Sequence, residues 1–246
     1  MAPHLRPLAE QVIVVTSSGI GLVTARMAAA QGAAVVAAAR NGEALETLVE
    51  EIRGRGGRAI RVVCDVGRED AVNHVAERAV QAFGGFDTWV NNAGLSIFGQ
   101  VWDVPLADWR RMFDTTDWGV VHGLLAAVRH FRQHSRARAT VNVGSFFNQR
   151  ATPVQNTYAS ATFVMRGFTG VLRMELEHEG LPVSVSLVHP GRIDMPYNEH
   201  AGNHMPMQPV HRGRVYPPEA VAEAILWCAA QPAAPRQFEL LVDSSA

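Results

Sequence analysis

The chain of 246 residues contains no lysine: all 22 basic residues are arginine, so no side-chain ammonium is available to any site it forms. Cysteine is nearly absent, with only Cys64 and Cys228. Two thiols make neither a disulfide framework nor a zinc pattern, and both are expected as reduced core residues. No run approaches the ~20 apolar residues of a membrane span. The opening "MAPHLRPLAE" has no charged-then-apolar leader, which leads us to expect a cytoplasmic protein. A formal net charge of −1 and the lack of basic runs with interleaved aromatics argue against a nucleic-acid partner.

What is there is a strand–helix alternation. Hydrophobic content of 48% suits a sizeable core. Val12 to Thr16 is a continuous apolar run ending at a turn, as expected of a strand buried on both faces. Ile20 to Gln31 has helical spacing with Gly32 as its stop, and Ala33 to Ala39 is a second buried strand. A helix over Gly42 to Arg55 and a strand over Ile60 to Cys64 follow. The helix from Glu69 to Phe83 then leads to "DTWVNNAG", one or two helices within Leu106 to Phe131, and the strand "ATVNVGS". Thr157 to Gly180 is a long helix, "VSVSLVHPG" a sixth strand, Arg192 to Tyr216 an irregular lid segment, and Pro218 to Ala230 the last helix before "QFELLVD". Repeated βαβ units predict an α/β fold: a Rossmann-like, doubly wound parallel sheet in three α/β/α layers, one domain over residues 1–246. Ligands in such sheets bind beyond the carboxyl ends of the strands.

The turns at those ends resemble the short-chain dehydrogenase/reductase family over about Gln11 to Ala230. "NNAG" (Asn91 to Gly94) follows strand four. Ser145 ends strand five, Tyr158 lies thirteen residues later, and Pro190-Gly191 follows strand six. The resemblance implies a site for NAD(H) or NADP(H), with Tyr158 and Ser145 at the reacting oxygen. Arg40 resembles the basic residue that reads a 2′-phosphate, Asp65 the adenine-contacting aspartate, and Ser18, Gly19, Ile20 and Gly21 the phosphate turn. The helices around Asp103 to Phe131 and Thr157 to Gly180 resemble the pair that forms family dimers, so a homodimer or homotetramer is expected.

The chain departs from that family at four places. The turn Thr16-Ser17-Ser18-Gly19-Ile20-Gly21 is two residues short and lacks its first glycine, which should narrow a pyrophosphate cradle. Its serines could contact a phosphate or simply cap the helix. Thr162 stands where the tyrosine motif has lysine. Arg166, one turn further along that face, is a poor substitute for a compact ammonium. Thr116 stands where a helix asparagine completes a proton relay, with Asp117 beside it as an acid or base if buried, or a bystander if solvated. Met195 falls at a threonine that contacts the nicotinamide end.

These departures favour a non-redox enzyme with no cofactor that performs a cyclisation, dehydration, isomerisation or pericyclic step. Tyr158 and Ser145 would polarise an apolar small molecule and Asp117 would shuttle a proton. Phe98, Thr116, Phe147, Thr162, Met195 and Tyr197 would line its pocket. An NADP(H)-dependent ketone or alcohol oxidoreductase is the alternative, and an inactive binding subunit a second one. His200 and His204 have i, i+4 spacing, with His189 and His211 not far off, but no carboxylate pattern fixes a metal geometry.

Overall fold

The protein is described from a computed structural model, and the account covers residues 4–16, 19–195, 201–207, 209, 214–231 and 239–242. Its strands and helices alternate along the chain as the hydrophobic runs predict. They are β1 (Val12–Thr16), α1 (Ile20–Ala30), β2 (Ala34–Ala39), α2 (Gly42–Gly54), β3 (Arg58–Val63), α3 (Glu69–Phe83) and β4 (Thr88–Asn91). After them come β5 (Ile97–Phe98), α4 (Leu106–Phe113), α5 (Gly119–Phe131), β6 (Arg138–Val143), α6 (Asn156–His178) and β7 (Val183–Pro190). The chain closes with β8 (Gly202–Asn203), α7 (Pro218–Ala230) and β9 (Glu239–Val242). Between α4 and α5 the helix widens into a π turn, Asp114–Trp118, instead of breaking.

Seven strands form one parallel sheet in the order β3-β2-β1-β4-β6-β7-β9. Successive strand residues point to opposite faces, so each strand feeds two cores. Ile13, Val15 and Val35 join Leu45, Leu48, Val221 and Ile225 on the side of α1, α2 and α7. Val14 and Val36 join Val72, Val75, Trp89 and Phe131 on the side of α3 and α5. The crossovers leave in opposite directions from β1 and β4, which opens a crevice at their carboxyl ends. A second, two-stranded sheet pairs β5 with β8, Ile97 opposite Gly202, and ties the lid segment to the turn after β4. The sequence gives no signal for it, because each strand is only two residues long.

Away from that crevice, His130 on α5 stacks on Phe86 at 4.1 Å, and its Nε2 accepts from the Phe86 N–H at 3.3 Å. Burial, with His134 and Arg138 nearby, pushes its pKa from 6.5 down to about 4. The folded state therefore holds the ring neutral, while the unfolded chain takes up a proton below 6.5. Stability from this residue is complete above pH 6.5 and is lost as pH falls through that value toward 4. The slope it contributes is at most about 1.4 kcal/mol per pH unit. Urea unfolding between pH 4 and 6.5 should show that slope in the wild type and lose it in His130→Gln. An identical slope in both proteins would remove the assignment.

Candidate active site

The site forms where β1, β2, β3, β4 and β6 end. At the foot of β1, Gly19 precedes α1 with φ +58°, a conformation that disfavours any side chain. A Cβ there would also overlap the Met195 Cε methyl, with Met195 Sδ 3.4 Å away. Met195 thus lies directly on the glycine turn. Gly21 sits one step into α1, where a Cβ would meet Asn92 Nδ2 at 3.0 Å. Thr16 ties the turn to β4: its Oγ1 donates to the Val90 carbonyl at 3.2 Å and accepts from the Asn92 N–H at 3.2 Å. Ser18 and Tyr197 fall outside the described residues, as do His200 and His211.

A cavity of ≈ 180 Å³ opens at the ends of β2, β3 and β4 and brings Arg40, Asp65 and Gly94 together with Ala39, Asn41 and Thr115. Arg40 is exposed at its edge and forms no ion pair with the other described residues. Asp65 accepts from the Gly67 N–H at 3.1 Å, which leaves one carboxylate oxygen facing outward. Gly94 leaves the wall open, since a Cβ there would find only Thr116 Oγ1, at 3.9 Å. Asn91 has a structural task. It is buried, accepts from Trp89 Nε1 at 2.8 Å and donates to Asn142 Oδ1 at 2.9 Å. These residues fit the adenosine end of a dinucleotide, with an open wall, a carboxylate and an unpaired guanidinium. At the glycine turn the Met195 side chain stands in the way.

On the other side of the crevice, Ser145 is buried after β6 and caps the short turn Phe146–Asn148, its Oγ accepting from the Phe147 N–H at 3.3 Å. The hydroxyl proton is not used in that bond. Tyr158 projects from the first turns of α6. Its ring meets Phe147 edge-on at 6.0 Å and packs against Ile97, Val104, Met112 and Ala161. Phe98 is half-buried in β5 and the chain resumes at Gly99 beside α6, where Asn156 Nδ2 donates to the Gly99 carbonyl at 2.8 Å.

Three expected supports of the tyrosine are otherwise engaged. Thr162 is buried, and its Oγ1 donates to the Ala159 carbonyl at 3.0 Å, a bond inside its own helix. Arg166 makes a two-pronged pair with Glu239 of β9, at 2.7 and 3.1 Å. The pair holds the Arg166 guanidinium at the carboxylate of β9. Thr116 Oγ1 donates to Met112 Sδ at 3.4 Å and faces the Leu95 N–H.

Asp117 is buried, not solvated. Its Oδ1 has no hydrogen-bond partner among the described residues, and burial raises its pKa. The π turn places it one residue past Thr116. Sequence reading passed over Thr115, Asn41 and the Glu239–His189–Ser145 chain. In that chain His189 lies 3.2 Å from Glu239 Oε2 and 3.3 Å from the Ser145 carbonyl. Its only signal was an Asn directly after Arg40 and a histidine in an apolar strand. His204 instead bonds Asp108 at 2.7 Å. Both thiols are buried, and desolvation pushes Cys64 and Cys228 up to about 11, as fits core residues.

A family model described as short chain dehydrogenase matches residues 11–205. The uncharacterized oxidoreductase YxnA of Bacillus subtilis is 58% identical over 231 residues, which is 93% of this chain. The chain spans 65% of that relative's length. A 3-oxoacyl-[acyl-carrier-protein] reductase of Synechocystis is 32% identical over 230 residues, 92% of each chain. An alcohol dehydrogenase from the archaeon Thermococcus sibiricus, solved in complex with 5-hydroxy-NADP, shares the fold. Its TM-score is 0.82 at 22% identity, over 96% of this chain and 97% of that one.

Two expectations are corrected by these findings. The sequence favoured a non-redox step, whereas the relatives carry the names of an oxidoreductase and a reductase. It also favoured no cofactor, whereas the solved neighbour holds an NADP derivative. The physical reason for both errors is the same: a missing lysine and a shortened turn alter single contacts, while the cavity lined by Arg40, Asp65 and Gly94 is formed by the ends of several strands together. No helix among the described residues is long and apolar enough to cross a membrane. The chain belongs to the short-chain dehydrogenase family.

Proposed function

We propose that the protein is an NADP(H)-dependent oxidoreductase acting on the carbonyl of an apolar small molecule, chiefly in the direction of reduction. One observation carries this reading: the cavity that gathers Arg40, Asp65 and Gly94 at the ends of β2, β3 and β4, with a guanidinium at its edge that has no ion pair among the described residues. An arginine there suits the additional phosphate of NADP(H) by forked hydrogen bonds. When bound, the cofactor supplies the hydride. Ser145, whose Oγ accepts from the Phe147 N–H and so keeps its proton for donation, donates to the substrate carbonyl and orients it. Tyr158 hands its phenolic proton to the oxygen as charge builds there. Thr162 and Arg166 are committed elsewhere, and no ammonium exists to favour a tyrosinate. Proton donation, the reductive sense, is the task this arrangement suits.

The divergence from the family lies in those supports and not in the Ser145–Tyr158 pair. The half-buried Phe98 and Phe147 give the substrate side its apolar character. Exposed Trp118 of the π turn, Leu125 on α5 and Phe163, Val164, Val171 and Met174 on α6 form an apolar face that suits a second copy of the chain.

Calorimetric titration with NADPH and with NADH tests the cofactor reading. NADPH should bind in the micromolar range and more tightly than NADH. Arg40→Ala should weaken NADPH by roughly tenfold or more, the worth of a charge-assisted hydrogen bond, and leave NADH unchanged. No binding of either at millimolar concentration would sink the reading.

A further inference from the structure

We infer that Met195 plugs the phosphate seat at the start of α1, and that a dinucleotide binds only after displacing this side chain. The inference rests on the NADP(H) reading above. The first amides of a helix lack partners within it and form an anion seat, and Gly19, with no Cβ, stands at the start of α1. The Met195 methyl occupies the place that a Gly19 Cβ would take, so an apolar cap stands on that seat.

The backbone beneath the plug is held firmly. Gly191 N–H donates to the Val242 carbonyl at 2.9 Å. Asp194 N–H donates to the Tyr216 carbonyl at 2.7 Å, and Tyr216 N–H to the Arg192 carbonyl at 2.8 Å. Ile193 is buried in the core with Met195 packed beside it. Clearance must therefore come from the methionine side chain, which is unbranched and has three rotatable bonds. The apparent dissociation constant of a ligand rises by the inverse of the open fraction. A plug that stands aside about a tenth of the time weakens NADPH about tenfold.

The experiment is calorimetric titration of wild type, Met195→Ala, Met195→Thr and Met195→Leu with NADPH and with 2′-AMP, which lacks the pyrophosphate. Thermal unfolding of each variant is measured in parallel. Shortening to Ala or Thr should tighten NADPH by roughly tenfold and leave 2′-AMP unchanged. Leu keeps the bulk and should keep the wild-type affinity. Equal gains for NADPH and 2′-AMP, or no gain for NADPH in any folded variant, would overturn the plug. If NADPH and NADH fail to bind all four proteins, the cofactor reading itself falls, an outcome distinct from unchanged binding.

Discussion

Tyr158→Phe should lower kcat/KM for ketone reduction by roughly 10²- to 10⁴-fold, the range for a positioned proton donor. NADPH affinity should be unchanged. The substitution removes one oxygen and leaves a ring of the same shape, so the packing on Phe147, Ile97 and Met112 persists. Its effect should fall on kcat and kcat/KM alike, the mark of an interaction made in the transition state and absent from the ground state. Ser145→Ala should fall in the same direction and less far, since it removes an orienting donor and keeps the proton source. Steady-state kinetics on an NADPH-oxidising ketone substrate would read both. Retained activity in Tyr158→Phe would show that the proton comes from elsewhere. Asp117, buried with an unpartnered oxygen one residue past Thr116, would then be the next group to test.

Much of this was legible in the sequence, because period and punctuation are local. The runs Val12 to Thr16 and Ala34 to Ala39 are apolar throughout, as strands covered on both faces must be, and Gly32 and Gly84 stop helices where the chain turns left-handed. Ser145 and Tyr158 were singled out by the resemblance of their thirteen-residue separation to the family's serine and tyrosine. The outcome at Thr162 and Arg166 was not legible, since it depends on partners far along the chain: Glu239 lies 73 residues from Arg166. The same is true of Met195, whose place over Gly19 follows from the β7 connection and not from any pattern around either residue. Cofactor use was misjudged for a related reason. A departure in a motif is visible as a letter, whereas the cavity that persists around Arg40 and Gly94 is a property of three strand ends together.

That cavity depends on how closely α5 lies on β4, and Gly123→Ala should expose the dependence. A Cβ at 123 would overlap Asn91 Oδ1 and stand 2.6 Å from Trp89 Nε1. Asn91 is the hub of a buried chain of side chains. It accepts from Trp89, donates to Asn142 Oδ1 at 2.9 Å, and Asn142 Nδ2 donates to Thr169 Oγ1 on α6 at 2.9 Å. Either α5 lifts from the sheet or Asn91 turns away and leaves polar groups unpaired in the core. Overpacking costs about 1–3 kcal/mol and an orphaned buried group a similar amount, while Ala returns about 1 kcal/mol of helix propensity. By either route the net expectation is a loss of up to about 2 kcal/mol in chemical unfolding. Ala93 and Gly94, two and three residues past Asn91, line the cavity proposed for NADPH, so NADPH affinity should fall as well. Gly167→Ala and Gly170→Ala on α6, where a Cβ meets nothing within 4 Å, provide the contrast. Each should be neutral or stabilising by up to ~1 kcal/mol with binding unchanged. If Gly123→Ala behaved like these two, the close seating of α5 on Asn91 would not be what holds the end of β4 in place.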